Sequence, residues 1–209
     1  MSTALVEDVA TEALVRVGGS VLLRPHRPDD LPALTRIWQD PRLMKYIAMP
    51  TMTRREAVEA FGRLLDSEKY IGPSYRFAIV RRADDAVVGT FGFELERFSS
   101  GYSHSMVTHP DTWGTGVAHE AYHLLLAFGF EELGVHRIWT ACAVENERAS
   151  RLIMSVGFTS FGVIRHYYQK NGEWTDCTAF NYLVDEWKTH QKTCAKTSTP
   201  LTGASGQKW

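Results

Sequence analysis

Two catalytic patterns overlap in the stretch WGTGVAHEAYH, which runs from Trp113 to His123. The first is a pair of glycines, Gly114 and Gly116, directly before a predicted helix. Backbone N–H groups at the start of a helix bind phosphate, and glycines let the phosphate approach the backbone closely. The second is the HExxH pattern, in which two histidines one helical turn apart bind zinc. These patterns predict different chemistry, so only one of them describes the reaction of this chain.

A zinc hydrolase would use His119 and His123 as ligands, Glu120 as the base and a third ligand from further along the chain. The longer HExxHxxGxxH form is absent, because leucine and glycine occupy the positions of its glycine and third histidine. Glu145 or Glu147 has the chemistry required of a third ligand. On a helical wheel, however, both histidines lie opposite the main apolar face of the helix and beside Leu126 and Phe130. We therefore predict a packing pair here and no metal site.

Composition limits the partners of the chain. Lysine and arginine total 23 and aspartate and glutamate total 24 in 209 residues. This balance gives no general attraction to nucleic acid or to anionic membranes, so we predict neither as a partner. The three cysteines, Cys142, Cys177 and Cys194, form neither a disulfide framework nor a CxxC pair. Together with the lack of a leader and of a long apolar run, this predicts a cytoplasmic protein.

The elements that must position the glycine loop can be predicted from apolar periodicity. Strands are predicted in VLLRP, RFAIVRR, AVVGTFGFELE, SHSMVTHP, HRIWTACAV, FGVIRHYYQK and EWTDCTAFNYLV, and helices in RPDDLPALTRIWQD, REAVEAFGRLLDS, VAHEAYHLLLAF and NERASRLIMSV. The resulting order, βααβββαβαββ, predicts an α/β fold with a mixed sheet and helices on its faces. We predict a single domain over residues 16–188, between flexible tails at residues 1–15 and 189–209.

Four sequence blocks resemble the GNAT acyltransferase superfamily, and most closely its RimJ/RimL-type N-acetyltransferases. They are LLRPHRPDDLPALTRIWQDPRLMKYI, VVGTFGFE, HPDTWGTGVAHEAYHLLLAFGFEELGVHRIW and NERASRLIMSVGFTSFGVIRHYYQKNGEWTD. They follow the order of the family and cover about residues 20 to 184. The resemblance implies the GNAT acyl-CoA N-acyltransferase fold, a central mixed sheet flanked by helices and splayed open between its fourth and fifth strands. It also implies an N-acetyltransferase that uses acetyl-CoA and no metal.

The resemblance places the acetyl-CoA site at the glycine loop, where family members hold the pyrophosphate on backbone N–H groups. Gly114 and Gly116 match the family pattern Q/R-x-x-G-x-G/A, whereas Asp111 stands where glutamine or arginine is usual. An acidic side chain there is expected to weaken binding without abolishing it. The residues implied to contact the cofactor are Met106, Val107, Thr108, Trp113, Gly114, Thr115, Gly116, Val117, Ala118 and Asn146. Asn146 also stands at a helix N-cap, and one residue can serve both roles.

Acetyl transfer to an amine requires a neutral nucleophile, a polarised thioester carbonyl and an acid for the departing thiolate. In the family the amine attacks the thioester directly. By this resemblance, the backbone N–H of a strand residue, here Val107, polarises the carbonyl. Glu94 is the first candidate for the base, with Glu96 and His104 as further candidates.

Both usual acids of the family are missing from this chain. Many relatives carry tyrosine in the helix after the asparagine, where this chain has isoleucine, and RimL-type relatives carry serine where this chain has Ala149. Ser150 is adjacent, although one residue turns a side chain by about 100 degrees around a helix. Tyr167 in the next strand is the other candidate, together with its neighbours His166 and Tyr168. The thiolate can also leave unassisted or through water.

The acceptor amine is not defined by the sequence, since relatives acetylate protein N-termini or various small-molecule amines. We expect the acceptor side to be formed by the first two helices and the final hairpin. The aromatic residues available there, which favour an apolar acceptor or a cation against a ring, are Trp38, Tyr46, Phe93, Tyr167, Tyr168 and Trp174. An alternative is a GNAT-like module that binds acyl-CoA with little or no transfer, or an enzyme with a non-acetyl donor. A homodimer is expected by analogy with the family.

Overall fold

A computed structural model of the 209-residue chain describes residues 13–68 and 74–197. The strands are β1 (Arg16–Val17), β2 (Val21–Arg24), β3 (Ser74–Arg81), β4 (Ala86–Glu96), β5 (Ser100–Thr108), β6 (Arg137–Ala143), β7 (Thr159–Lys170) and β8 (Glu173–Leu183). The helices are α1 (Leu31–Gln39), α2 (Pro41–Met44), α3 (Arg54–Glu68), α4 (Val117–Ala127), α5 (Glu147–Ser155) and α6 (Val184–Thr197), and a π-helical turn (Phe128–Glu132) extends α4. The predicted order of elements is confirmed, with β1, α2 and α6 in addition.

The described strands form one mixed sheet in the order β1-β2-β3-β4-β5-β6-β8-β7. Neighbouring strands are antiparallel except β5 and β6, which run parallel. Parallel neighbours need a crossover connection, and α4 supplies it. The glycine loop therefore joins the end of β5 to the start of α4. It lies at the ends of the strands, in the middle of the sheet.

β5 and β6 separate soon after they pair. Three residue pairs are in register, and the last of them joins Tyr102 to Trp139. Just beyond this pair, the hydroxyl of Thr140 donates to the backbone oxygen of Ser103 at 2.8 Å. β5 then continues to Thr108 with one side of its backbone facing an opening in the sheet. The splayed arrangement between the fourth and fifth predicted strands is confirmed.

Two apolar clusters hold the helices against the sheet. The larger cluster packs α4, through residues such as Leu125, against β2, β3, β4, β6 and β8. In the smaller cluster, Leu34, Ile37 and Trp38 recur at helical spacing, so that α1 packs with α3 against Val107 of β5. Val107 is thereby fixed by core packing at the edge of the opening.

The C-terminal side differs from the predicted domain boundary. Residues 189–197, which the sequence analysis assigned to a tail, continue helix α6. Trp187 is buried in the larger cluster, and its Nε1 donates to Glu131 at 2.9 Å. Trp187 is a buried aromatic residue in an otherwise largely polar helix. The helix therefore has little apolar periodicity, and the sequence analysis did not predict it. Residues 1–12 and 198–209 of the predicted tails lie outside the described residues. Neither α6 nor any other helix among the described residues is long and apolar enough to cross a membrane.

Candidate active site

Two cavities meet at the opening between β5 and β6. The first, called the loop groove, has a volume of about 460 Å³ and follows the glycine loop and the head of α4. The second, called the aromatic cavity, has a volume of about 540 Å³ and lies between β5, β6, β7, α1 and α3. The residues that line both are Tyr46, Ile47, Met106, Val107, Asn146, Ala149 and Leu152. Because the cavities share these walls, two reactants can lie side by side at the opening.

The loop at the head of α4 depends on glycine at two positions. Gly114 and Gly116 have φ angles of +79° and +86°, in the left-handed region that favours glycine. An added Cβ would meet nothing within 4 Å at either position, so these glycines serve backbone conformation and access and not packing. The first hydrogen bond of α4 runs from the N–H of Glu120 to the oxygen of Gly116 at 3.0 Å. The N–H groups of residues 117–119 precede it and have no acceptor within the helix.

Side chains of the loop fold back on the loop itself. Nε1 of Trp113 donates to the backbone oxygen of Thr108 at 3.2 Å, and the hydroxyl of Thr115 donates to the oxygen of Thr112 at 2.7 Å. Val117 is buried in the larger cluster, so it can contact a ligand only through its backbone. Of the six predicted loop contacts, those that line the groove are Trp113, Gly114, Gly116 and Ala118.

Three arginines surround the loop groove: Arg42 from α2, and Arg148 and Arg151 from α5. The guanidinium of Arg148 lies 3.3 Å from the ring centroid of Trp113, a cation–π contact that holds it over the loop. Asp111 does not line the groove, and its carboxylate lies 3.3 Å from Nδ1 of a neighbouring histidine. Among the described residues no carboxylate lines this groove, but Arg42 is paired with Asp40 at 2.6 Å and Arg151 with Glu147 at 3.0 Å.

β5 presents the same residues to both cavities. Met106 and Val107 line both, and Thr108 lines the loop groove. Because the register with β6 ends earlier, the backbone on that side of these residues faces the opening and not a described strand. This is the position at which the sequence analysis predicted backbone contacts to the cofactor arm.

Asn146 caps α5 and also lines both cavities. Its Oδ1 accepts a hydrogen bond from the N–H of Ala149 at 3.2 Å, which is the expected capping role. Ala149 also lines both cavities, whereas Ser150 lines neither. Successive residues of a helix are turned by about 100 degrees from one another, which directs Ser150 away. The structure therefore does not bring Ser150, a predicted acid, to the site.

Aromatic side chains form much of the wall of the aromatic cavity: Trp38, Tyr46, Tyr102, Tyr122, Tyr167 and Tyr168. Four of these were predicted for the acceptor side. The other two predicted rings lie elsewhere: Phe93 is fully buried in the larger cluster, and Trp174 stacks on His166 with ring centroids 5.6 Å apart.

Arg76, Glu94 and His104 meet across three neighbouring strands. Arg76 donates to Oε1 of Glu94 at 3.0 Å and to Nε2 of His104 at 2.6 Å. Burial, assisted by the charge of Arg76, lowers the pKa of His104 to about 4. The ring is therefore neutral at pH 7, and its Nε2 can accept the hydrogen bond. Arg76 and His104 line the aromatic cavity, and Glu94 does not.

Glu96, another predicted base, is directed to a different surface. Its Oε2 accepts a hydrogen bond from Nε1 of Trp139 at 2.7 Å. It lines a separate depression with Phe98 and does not line the aromatic cavity. The structure thus brings two of the three candidate bases together and separates the third.

A bulge in β7 brings two consecutive tyrosines to the aromatic cavity. Side chains alternate along a regular strand, so neighbours normally point to opposite faces. Here the register with β8 shifts between Ile164 and Tyr168, and His166 has a φ of +50°. As a result both Tyr167 and Tyr168 line the cavity, while His166 does not.

The hydroxyl of Tyr167 lies 3.0 Å from the hydroxyl of Tyr102. The Tyr102 ring is itself stacked on Trp139, with centroids 4.3 Å apart, and on His104, with centroids 5.3 Å apart. Burial and the hydrogen bond with Tyr167 raise the pKa of Tyr102 above its ordinary value, so its phenol remains protonated. The pair therefore places a protonated phenol in the wall of the cavity.

The HEAYH segment belongs to the packing of α4. The rings of His119 and His123 lie 4.6 Å apart, and His123 lies 6.0 Å from the ring of Trp187. The carboxylate of Glu120 accepts hydrogen bonds from the N–H of Ser20, at 3.0 Å, and from its hydroxyl. The histidines are thus the packing pair that the helical wheel predicted, and the glutamate ties α4 to the start of the sheet. Within residues 13–68 and 74–197, no three His, Cys, Asp or Glu side chains are grouped to hold a metal ion.

The sequence analysis missed several residues of the two cavities. Arg76 pairs in register with Gly92, and Gly92 pairs with His104, so a register predicted for three strands would have placed Arg76 beside His104. A Cβ at Gly92 would lie 2.5 Å from the His104 ring, which explains the glycine. Arg42 and Arg148 carried no such signal, because an arginine on a helix surface is usually solvated.

Comparison with known proteins places the chain among acetyltransferases. A family model described as an acetyltransferase (GNAT) domain matches residues 20–159. The uncharacterized N-acetyltransferase p20 of Bacillus licheniformis is 28% identical over 170 residues, which is 79% of this chain and 93% of the relative.

Two solved structures show the same fold. The spermidine N-acetyltransferase of Vibrio cholerae, in complex with CoA and spermine, has a TM-score of 0.70 at 21% identity and covers 82% of this chain and 99% of its own. The ribosomal-protein-S5-alanine acetyltransferase of Vibrio fischeri has a TM-score of 0.69 at 18% identity and covers 83% of this chain and 98% of its own. At these identities the likeness establishes the architecture.

Proposed function

The chain belongs to the GNAT family of N-acetyltransferases, and we propose that it transfers the acetyl group of acetyl-CoA to a primary amine. The amine attacks the thioester carbonyl directly, a nitrogen–carbon bond forms, and the carbon–sulfur bond to CoA breaks. The observation that carries this proposal is the meeting of the loop groove and the aromatic cavity at Met106 and Val107. One cavity suits a polyphosphate cofactor and the other an organic amine.

The loop groove has the chemistry that the phosphates of acetyl-CoA require. Backbone N–H groups of residues 117–119 and the dipole of α4 favour a pyrophosphate at the head of the helix. Arg148 adds positive charge from another wall, whereas Arg42 is paired with Asp40 at 2.6 Å. The pantetheine arm then follows the open side of β5 past Asn146, and a backbone N–H of β5 around Val107 polarises the thioester carbonyl.

Glu94 is the proposed base. The acceptor amine loses a proton on attack, and a carboxylate close to the opening can collect it through water. Arg76 holds Glu94 in place, and the neutral ring of His104 fixes the guanidinium from the other side. Because the pKa of His104 is lowered to about 4, His104 does not compete for this proton at neutral pH.

Tyr167 is the proposed acid for the departing thiolate. It lines the aromatic cavity, and its hydroxyl is hydrogen-bonded to that of Tyr102, 3.0 Å away. The raised pKa of Tyr102 keeps that phenol protonated. Because burial disfavours loss of the Tyr102 proton, a proton that Tyr167 gives to sulfur is replaced from water.

The experiment that tests this function follows release of the CoA thiol from acetyl-CoA in the presence of a mixture of primary amines. Amine-dependent release of one thiol for each acetylated amine supports an acetyltransferase. Binding of acetyl-CoA without release would support the alternative, a module with little or no transferase activity. Parallel assays with propionyl-CoA and succinyl-CoA distinguish acetyl transfer from transfer of another acyl group.

The acceptor class and the location of the protein are part of the proposal. The solved relatives named above act on spermidine and on a ribosomal protein, so a small amine and a protein N-terminus are both candidates. Cys142 and Cys177 are free thiols, which fits the reducing cytoplasm. A homodimer stays a prediction from the family.

A further inference from the structure

We infer that the aromatic cavity selects a primary amine on an aromatic or apolar body that carries an acidic group, and that it discriminates against polyamines. This inference rests on the proposed function, because it names the acceptor class of the same site. It follows from the shape of the cavity, from the charges in its wall and from the end at which those charges lie.

The cavity has a reactive end and a distal end. The residues that it shares with the loop groove, Met106 and Val107 among them, mark the end where the thioester lies. The residues of α3 that line it, Ala60, Arg63 and Leu64, do not line the loop groove, and we call this side of the cavity the distal end. An acceptor whose amine meets the thioester therefore directs its other end towards α3.

Between these ends the wall is suited to a flat apolar body. Trp38, Tyr102 and Tyr168 contribute rings from three separate elements, and Met49 and Met52 add flexible apolar surface. A volume of about 540 Å³ fits a ligand with one aromatic ring and short substituents. A ring stacked here is removed from water, whereas a chain with a charge every few atoms would lose hydration for little in return.

The charges in the wall are positive. Arg63 and Arg76 line the cavity, and among the described residues no aspartate or glutamate does. Glu94 does not line the cavity, and it is hydrogen-bonded to Arg76 at 3.0 Å. Glu145 acts electrostatically on Tyr168 but lies outside the lining.

These charges oppose a polyamine and favour an acid at the distal end. A polyamine directs further ammonium groups towards α3, where Arg63 repels them and no described carboxylate of the wall receives them. A carboxylate on the distal side of an aromatic amine would meet Arg63, an exposed residue at this end of the wall. Guanidinium groups bind carboxylates with two parallel hydrogen bonds, which adds geometric selection to the charge.

The test is a competition among amines of three charge classes, at equal concentration, with acetyl-CoA and mass spectrometry of the products. The mixture contains 4-(aminomethyl)benzoate and 4-(2-aminoethyl)benzoate as aromatic amines with a distal carboxylate, tyramine and phenethylamine as aromatic amines without one, and spermidine and putrescine as polyamines. We expect the acidic aromatic amines to dominate and polyamine products to be at least tenfold fewer. Dominance of acetylated spermidine or putrescine would overturn the inference.

Substitution of Arg63 tests whether this residue causes the preference for acidic amines. Arg63→Glu should lower kcat/KM for the preferred acidic amine about fivefold to tenfold, through KM, and change tyramine by less than twofold. Arg55→Ala, an exposed arginine of the same helix paired with Glu59, should change neither. Equal losses for the acidic amine and tyramine in Arg63→Glu would contradict the assigned charge contact.

The same samples separate this inference from the proposed function. If acetyl-CoA binds and no amine of any class is acetylated, transfer itself fails, and the proposed function fails with it. If CoA thiol is released but polyamines or carboxylate-free aromatic amines are the preferred acceptors, the proposed function stands and only the acceptor class named here is wrong. If acetyl-CoA does not bind to the folded protein, the proposed function itself fails. Binding is measured by calorimetry before the competition, so the two failures are read independently.

Discussion

The loop groove and the aromatic cavity are built from different parts of the chain. The loop groove is lined by the segment from Met106 to His119, with side chains of α2 and α5 on its other walls. The groups that we propose for cofactor binding there include the backbone N–H groups of residues 117–119 at the head of α4. The aromatic cavity collects side chains from α1, α3, β3, β5, β6 and β7, which are far apart in sequence. A site made by a local backbone conformation leaves a local pattern in the sequence. A site made by side chains from distant segments depends on how the strands pair, so it leaves no local pattern in the sequence.

The same difference predicts how each region responds to substitution. The loop groove should fail when its backbone or its access is changed and should tolerate loss of single side chains. The aromatic cavity should respond to single side chains, with effects on catalysis and acceptor choice and little effect on cofactor affinity. Five substitutions, ordered from the largest expected effect to the smallest, test this contrast.

The double variant Gly114→Asp, Gly116→Asp should weaken acetyl-CoA binding at least about 100-fold. It puts two carboxylates against the pyrophosphate and side chains at φ angles of +79° and +86°. Calorimetric titration measures the Kd. Gly172→Asp is the matched control, because Gly172 has a φ of +85° and open space around it, in a hairpin turn away from the groove. Equal affinities in the double variant and the control would show that the loop does not hold the cofactor.

Glu94→Gln should lower kcat about 30-fold to 100-fold at neutral pH and leave the Kd for acetyl-CoA unchanged. The loss should shrink as pH rises, because more of the acceptor amine is then already neutral. Steady-state rates between pH 7 and pH 9.5 test this. Glu96→Gln, two residues along the same strand, should change kcat by less than about twofold, since Glu96 is bound to Trp139. A larger loss in Glu96→Gln than in Glu94→Gln would reverse the assignment of the base.

His104 should make folding stability depend on pH. The pKa of His104 is lowered from 6.5 to about 4 in the folded protein, so the unfolded chain binds a proton that the folded protein does not. Its contribution is complete above pH 6.5 and is lost as pH falls from 6.5 towards 4. Between pH 7 and pH 4.5 the wild type should lose about 2 kcal/mol more than His104→Gln in urea unfolding. Parallel losses in the two proteins would show that the ring is not held neutral.

Arg148→Ala should raise the Kd for acetyl-CoA about fivefold, and the effect should fall with increasing salt. Only one of several groups around the phosphates is lost, and the backbone N–H groups remain. Arg55→Ala, in an exposed pair with Glu59 at 3.1 Å, controls for the loss of a surface charge. A 100-fold loss in Arg148→Ala would mean that a side chain, and not the backbone, dominates cofactor binding.

Glu120→Gln should cost roughly 1 kcal/mol of stability and leave both the Kd for acetyl-CoA and turnover unchanged. The substitution weakens the hydrogen bonds to Ser20 that tie α4 to the start of the sheet. Thermal unfolding and the thiol-release assay measure the two quantities on one sample. Lost turnover with unchanged stability would reopen the catalytic interpretation of HEAYH.

Much of the fold was predictable because its elements carry strong local signals. The alternation in AVVGTFGFELE and the helical spacing of Leu34, Ile37 and Trp38 each report which face is buried. The separation of β5 from β6 was predicted by resemblance to the family and has no local sequence signal. Helix α6 was missed because one buried residue, Trp187, holds it.

The candidate site divides in the same way. The roles of Gly114 and Gly116 were predictable because glycine is the residue type that adopts positive φ without a steric penalty. Arg76 was missed because its neighbours His104 and Glu94 are 28 and 18 residues away, and only strand register joins them. Tyr167 and Tyr168 could not both be assigned to one face, because the bulge at His166 breaks the alternation on which such an assignment depends.

The most direct test of backbone binding in the loop groove is amide hydrogen exchange, measured by mass spectrometry with and without saturating acetyl-CoA. We predict that the cofactor slows exchange most in peptides that contain residues 114–119 and, next, residues 106–108. Unchanged exchange in both segments, with protection confined to α1 and α3, would contradict the account.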